Sequence, residues 1–357
     1  MRIAGIAASF PSRIVTNEEI LDMIKRYSEP CFQGDLRKSL RRVRYHLRYS
    51  GIKTRRWLAP DEKPIQLLSD AVLKALAEAD CKLGDIDLVI YVSGDGRFKE
   101  PANAYMLANA LGMAGAQCFD IRDACMGWSR ALQLVYHLFR GDGSYSRVLI
   151  VNAECNMQVG GVCFPGVFRI RNLEEIDWKF PAYTIGEVAA ATVLARDHAQ
   201  EWDFHFASKP DLADLCTVPE PGYESYCILG LDADSEKHQT TRIGRNGVNQ
   251  FTSFGSNLFA EFAKQGPDVF RKLCCPLEEI RMVFPHTASK KLWEDTGKEV
   301  GSPPVYYVYP DYGNLVSASV PAGIDLARGE GAIKRGDRLV GWVGSAGMSF
   351  AAYSFIY

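Results

Sequence analysis

The 357-residue chain predicts a layered α/β fold made of two similar halves, residues 1–195 and 196–357, and three observations carry that expectation. Short, continuously apolar runs such as Leu88-Val89-Ile90-Tyr91-Val92 and Val148-Leu149-Ile150-Val151 suit strands buried on both faces. Segments with helical spacing alternate with these runs up to residue 195, as stacked layers of sheet and helix require. A second alternation with the same element order follows a connector, and the length is generous for one hydrophobic core.

In order, residues 1–10 read as a strand that turns at Phe10-Pro11-Ser12. Thr16 followed by Glu19 has capping-box spacing, which starts a helix at Asn17. Arg37, Lys38, Arg41, Arg42, Arg44 and Arg48 then accumulate, either as a solvated helix face or as a landing site for phosphates or an acidic carrier protein. Helices are expected over 65–79, 103–111 and 128–140, and strands over 88–92, 116–121 and 147–151. The small residues from Gly186 to Ala191 lead into a strand that ends near Ala195. Pro210, Pro219, Pro221, Gly222, Gly230, Gly244 and Gly247 break residues 196–250 into an irregular connector. A helix over 253–265 opens the second run, with strands at 282–284, 305–308 and 339–343 and a closing apolar segment at 350–357.

Composition excludes several functions. With 41 basic and 43 acidic residues the net charge is −2, which leaves no bulk attraction for nucleic acid or an anionic membrane. No apolar stretch approaches membrane-spanning length, and residues 1–11 are interrupted too early for a signal peptide, so the expected location is cytoplasmic. Ten cysteines, Cys227 among them, lack paired spacing and read as reduced thiols with no zinc site.

The chemistry concentrates around Cys125, which lies between a strand and a long helical run. There, free N–H groups and the helix dipole favour a thiolate nucleophile; a buried structural cysteine is the alternative. His286 follows a strand and precedes a helix, and Asn314 occupies the same topological place one strand later. Strand C-termini share one edge in layered α/β folds, so the three side chains can converge. A thiolate accepts an acyl group as a thioester, while an imidazole and an amide donate hydrogen bonds to an oxygen that becomes negative. The turn Gly344-Ser345-Ala346-Gly347 brings a further backbone N–H, assigned to Ser345, which with the Cys125 N–H forms an oxyanion hole.

Taken together, these motifs resemble β-ketoacyl-acyl-carrier-protein synthase III and its relatives in the thiolase superfamily. The resemblance covers Gly51-Ile52-Lys53-Thr54-Arg55-Arg56, the cysteine at the helix start, the Gly186 stretch, His286, Gly313-Asn314 and the glycine-containing last turn. It implies the thiolase fold, five layers in the order αβαβα, and a homodimer. It implies a reaction in two stages with no metal or redox cofactor. Cys125 takes an acyl group from acyl-CoA or acyl carrier protein; a malonyl thioester then loses carbon dioxide beside His286 and Asn314 and attacks the acyl group.

Three departures qualify the match. His286-Thr287-Ala288-Ser289 stands where the family usually has His-Gln-Ala-Asn. Tyr45 and Tyr49 fall where an aromatic residue and an arginine clamp the CoA adenine; tyrosine can stack but not pair with phosphate, which weakens the case for CoA as acyl donor unless Arg44 or Arg48 substitutes. Arg97-Phe98-Lys99-Glu100-Pro101 matches a loop that lines the acyl pocket across the dimer, which makes Arg97 and Lys99 candidates for holding a carboxylate or other polar tail; plain surface charge is the alternative. Acyl transfer to a hydroxyl or amine in a specialised pathway, and a non-catalytic partner subunit, are the other functional readings. His137, Glu187 and Cys274-Cys275 read as structural, the last pair as a buried helix end, and Lys290 and Lys291 as carrier guides or solubilising charges.

Overall fold

The computed structural model describes residues 1–141, 143–223 and 242–357; Cys227 and the connector break at Gly230 lie outside the described residues. The apolar runs pair into two sheets. The first holds β1 (Arg2–Ser9), β2 (Leu88–Val92), β3 (Gln117–Ile121), β4 (Arg147–Glu154) and β5 (Val188–Ala195). The second holds β6 (Asp203–Ser208), β7 (Ile280–Pro285), β8 (Arg338–Ser345) and β9 (Ser349–Ile356). Their orders are β1-β5-β4-β2-β3 and β7-β8-β9-β6.

One wiring pattern occurs twice. In the first sheet β1, β5 and β4 pair antiparallel, and β4, β2 and β3 pair parallel. In the second, β6, β9 and β8 pair antiparallel and β8 pairs parallel with β7. A parallel bridge from Val283 to Val305 stands where a fifth strand would lie. The expected strand over 305–308 is reduced to that bridge, because Pro303, Pro304 and Pro310 crowd the segment and cannot donate to a ladder. The strand β6, in contrast, lies inside the expected connector. Phe204 and Phe206 alternate with polar residues there and pack on the central core.

Between the sheets lie the helices Gly127–Gly141 and Ser319–Gly329. Trp128, Leu132, Val135 and Phe139 from the first, and Val320 and Ile324 from the second, share one core with Ile90, Ile150, Leu339 and Phe355. Full burial of each such side chain stabilises the fold by about 1.5–3 kcal/mol. Helix Pro64–Glu78 covers the outer face of the first sheet, and helix Gly255–Phe270 that of the second. The result is five layers, helix, sheet, helices, sheet and helix. Gly5 permits one of these contacts: a Cβ there would lie 2.0 Å from the Ala75 carbonyl oxygen, so the outer helix could not seat against β1.

Side-chain caps hold the starts of helices Asn17–Ser28 and Leu36–Ser50, the second through Asp35. Helix Asn17–Ser28 begins with the expected box, Glu19 N–H donating to Thr16 Oγ1 at 3.2 Å and Thr16 N–H to Glu19 Oε2 at 2.8 Å. Cys274 departs from expectation: it is exposed on the turn after helix Gly255–Phe270.

Candidate active site

Cys125 sits on a single tight turn, Ala124–Met126, between β3 and helix Gly127–Gly141. The turn is held from several sides. Ala124 adopts a left-handed backbone with φ 43°, and a Cβ on Gly127 would lie 2.5 Å from Val92 Cγ1. Arg130 Nε donates to Asp123 Oδ2 at 3.0 Å. From the end of β8, Ser345 Oγ accepts the Met126 N–H at 3.2 Å and donates to the Asp123 carbonyl at 3.4 Å. The second sheet therefore fixes the turn that carries the thiol.

The N–H groups of Cys125 and Ala346 are the backbone donors directed at the Cys125 thiol. The second of these is one residue beyond the expected Ser345, whose backbone belongs to the β8–β9 ladder opposite Ser349. Cys125 keeps some exposed surface, yet protein crowds its sulfur, and burial pushes the thiol well above its ordinary range. Cys216 and Glu154 push it further, and the two N–H donors oppose them. The expected readily ionised thiol is thus not the resting state, because desolvation outweighs the helix terminus.

His286 begins where β7 ends. Its N–H donates to the Trp342 carbonyl at 3.0 Å, which keeps it in register beside β8. Its ring is buried, with Nδ1 3.2 Å from Ser319 Oγ, and that hydroxyl donates to the Val316 carbonyl at 3.0 Å. Burial lowers the imidazole to about 4 against a hydrogen bond to the Val316 backbone, so the ring is neutral at neutral pH.

Asn314 is fixed by its backbone, N–H to the Thr184 carbonyl at 2.8 Å and carbonyl to the Gly186 N–H at 3.0 Å. Its Oδ1 accepts the Val316 N–H at 2.9 Å, which frees Nδ2 for a substrate. Two glycines allow this clasp. Gly313 has φ 79°, and a Cβ on Gly186 would lie 2.0 Å from the Tyr312 carbonyl oxygen. Val316 is the shared anchor of His286 and Asn314, and it holds φ 49°, a conformation a β-branched residue avoids. The turn Val316–Ala318 packs directly against the Cys125 turn. Cys125, His286 and Asn314 thus lie on elements that meet at one place.

Tyr45 and Tyr49 project from helix Leu36–Ser50, both exposed, with rings stacked at 6.1 Å. This helix lies beside helix Lys290–Glu299, and Tyr49 acts on Lys291. Arg44 is engaged with Glu18 at 2.7 Å, whereas Arg48 is exposed and makes no ion pair among the described residues. Lys99 is 83% exposed and paired with Glu220 at 2.9 Å, so it faces the surface. Arg97 is exposed too, but its guanidinium donates to the Cys155 carbonyl and lies 3.4 Å from Asp95. Its charge acts on Cys163, which also feels Cys216, and Cys216 in turn acts on Cys125.

Glu154, Ser317, Ala346 and Cys216 join the site without having been expected. Glu187 is structural as expected, accepting from the Leu58 and Met157 N–H groups at 2.7 and 2.8 Å. Away from the site, donor atoms of Asp203, His205 and Cys274 lie within 4.8 Å of one another, a zinc-type set absent from the sequence expectation. Asp203 lies 2.8 Å from His205 Nε2 and accepts the Cys274 N–H at 2.8 Å. A separate open cleft of about 560 Å³ between Arg13, Arg26, Trp57 and Phe164 includes none of Cys125, His286 and Asn314.

Residues 271–356 match the family model described as 3-oxoacyl-[acyl-carrier-protein] synthase III C terminal. The chain is 28% identical to the β-ketoacyl-[acyl-carrier-protein] synthase III of Mycobacteroides abscessus, across 98% of this chain and 93% of the relative. It is 24% identical to that of Neisseria gonorrhoeae, across 95% and 93%. Among solved structures, 3-oxoacyl-[acyl-carrier-protein] synthase III from Aquifex aeolicus superposes with a TM-score of 0.76 at 20% identity, covering 100% of this chain and 99% of that one. Xanthomonas campestris OleA, a cysteine-to-serine variant with bound lauric acid and lauroyl-CoA, gives 0.79 at 19% identity, with coverage of 99% and 98%. These last two likenesses concern the fold, which is the thiolase fold. With the near end-to-end sequence matches, the chain is similar to β-ketoacyl-acyl-carrier-protein synthase III along almost its whole length.

Proposed function

We propose that the chain is a condensing enzyme that joins an acyl group carried on Cys125 to a malonyl thioester. The meeting of the Cys125 turn with the Val316 turn, which anchors both His286 and Asn314, carries this reading. In the first stage the Cys125 sulfur attacks an acyl thioester. The new S–C bond forms, the donor's S–C bond breaks, and the donor leaves as a thiol. The Cys125 and Ala346 N–H groups stabilise the intermediate oxyanion, each such donor being worth roughly 3–4 kcal/mol.

In the second stage the malonyl group loses carbon dioxide, and charge grows on its thioester oxygen. Asn314 Nδ2 donates to that oxygen, and so does His286 Nε2 when the Ser319 hydroxyl turns to donate to Nδ1. The enolate carbon then attacks the Cys125 thioester, the C–C bond forms, and the sulfur is expelled. The product is a β-ketoacyl thioester. The chain's own groups suffice for each step, without metal or redox cofactor.

Acyl-CoA and acyl carrier protein are the proposed carriers, in line with the relatives' names and with the lauroyl-CoA bound to OleA. Exposed Tyr45, Tyr49 and Arg48, with half-buried Lys290 and Lys291, suit an anionic carrier. Arg97 is the candidate for reading a polar acyl tail; Lys99 is not. The working form is proposed as a cytoplasmic homodimer. No helix among the described residues is long and apolar enough to cross a membrane.

Intact-protein mass spectrometry with a panel of acyl-CoA and acyl-carrier donors tests the first stage. Wild type gains one acyl mass and Cys125→Ala gains none. An adduct that persists in Cys125→Ala, or none from any donor, would overturn the assignment of Cys125 as nucleophile.

A further inference from the structure

Cys125 has to release its thiol proton when it takes the acyl group. His286 is a poor acceptor, because burial keeps it neutral down to about pH 4. A second buried group stands beside the site. Glu154 ends β4, with no exposed surface. Its Oε1 lies 2.5 Å from Ser317 Oγ, and its Oε2 accepts from Asn156 Nδ2 at 3.1 Å and from the Gly94 N–H at 3.4 Å. Ser317 Oγ also accepts from Asn152 Nδ2 at 2.8 Å.

All these donors are neutral, and among the described residues no cation pairs with Glu154. A buried carboxyl held only by neutral donors is costly to ionise, and Glu154 is raised to about 7. It therefore exchanges a proton in the neutral range, where His286 does not. The titratable groups that feel its charge are Cys125 on the nucleophile turn, Cys155 next to it in the chain, and Tyr91 on β2. Arg97 acts on Cys155 and Tyr91.

Ser317 bonds Glu154 and lies on the turn beside the nucleophile. It belongs to the turn that packs on the Cys125 turn, and a Cβ on Gly127 would lie 3.7 Å from Ser317 Cβ. We propose that Glu154, reached through the Ser317 hydroxyl, is the acceptor of the Cys125 proton; this rests on the condensing reading above. The Cys125 S–H bond breaks as its proton passes to Ser317 Oγ and Ser317 gives its own hydrogen to Glu154 Oε1. The sulfur's electron pair attacks the acyl carbonyl. When the donor thiolate leaves, Glu154 returns the proton along the same path. In the second stage Glu154 takes one proton from solution and passes it to the expelled Cys125 sulfur. Protonation also removes the negative charge that otherwise opposes the thiolate, so acceptance of the proton and ionisation of the sulfur assist each other.

The test is alkylation of Cys125 by iodoacetamide, followed peptide by peptide across pH 5–10 in the full chain. It needs no acyl donor, so it reads out whether or not a substrate is found. Wild type is expected to react with a profile that rises near pH 7. Glu154→Gln reacts about a hundredfold more slowly at pH 7.5 and rises only in the alkaline range, with Ser317→Ala following it in the same direction. Glu154→Gln reacting as fast as wild type, or faster, would mean that the carboxylate merely repels the thiolate, and the proposal fails. An equal fractional loss at every pH would assign a packing role and also overturn it. Should Glu154→Gln not fold, Ser317→Ala decides alone, an unchanged profile being the contrary result.

Discussion

Asn314 and His286 reach the site through one residue, Val316, and their separate duties can be measured apart from that of Cys125. Asn314→Ala and His286→Ala are expected to retain the acyl adduct on Cys125 while condensation with the malonyl thioester falls about 10²–10³-fold. Loss of the adduct itself would place these residues in the first stage instead. Burial of Glu154 also has a cost. Its carboxyl holds its proton more tightly in the fold, about 7 against 4.5, so its share of stability is present at low pH and is lost as pH rises between those values. The loss reaches about 3 kcal/mol at the limit. His286 has the opposite sign: lowered from 6.5 to about 4, it contributes stability above that window and loses it on acidification. Urea midpoints at pH 5 and pH 8 check the first point; Glu154→Gln is expected to be markedly less destabilised, relative to wild type, at pH 8. Cys125 and His286 were legible because each follows an apolar strand and precedes a helical run; Asn314 follows an apolar run, 305–308, that the structure reduces to one bridge. Glu154 was not legible, because the strand reads as ending at Val151 whereas it runs on to Glu154. Ala346, one residue past Ser345 and just beyond the end of β8, directs its N–H at the Cys125 sulfur.

Among elements, the clasp between the Gly186 stretch and the Gly313-Asn314 turn is the most exposed to substitution. Gly186→Ala sets a methyl against a backbone oxygen 2.0 Å away, which neither side can yield cheaply. A loss of 3 kcal/mol or more is expected, at about the scale of strongly strained positions, together with loss of condensation. A thermal midpoint within a degree of wild type would contradict this. Thr16→Ala is the contrasting case: it removes one cap far from the site and should cost about 1 kcal/mol with unchanged turnover. Helix ends such as this one are legible because capping is local. The strand β6 was hidden by flanking prolines and glycines, although Phe204 and Phe206 alternate as an edge strand does. The segment 305–308 erred the other way, since its apolar residues outweighed the prolines that deny it a ladder.

The whole molecule places its chemistry where its two repeated sheets face each other. The strands of the first sheet end at Ala195 and those of the second begin at Asp203, yet Ser345 from the second holds the Cys125 turn of the first. Neither half contains the site alone. The layered fold was legible from alternating buried runs, and the meeting of the halves from their shared strand edge; that the Ser345 hydroxyl holds the Cys125 turn was not, because nothing local encodes a side-chain contact at that separation. The proposed homodimer is checked by sedimentation, which should give twice the 39.7 kDa chain mass at micromolar concentration; a single chain would contradict it. The most direct measurement is a single turnover of enzyme acylated on Cys125 and mixed with a malonyl thioester. One carbon dioxide and one β-ketoacyl thioester per acyl group are expected, with Cys125 returned free. Release of the acyl group to water, a hydroxyl or an amine, without carbon dioxide, would contradict the condensing role.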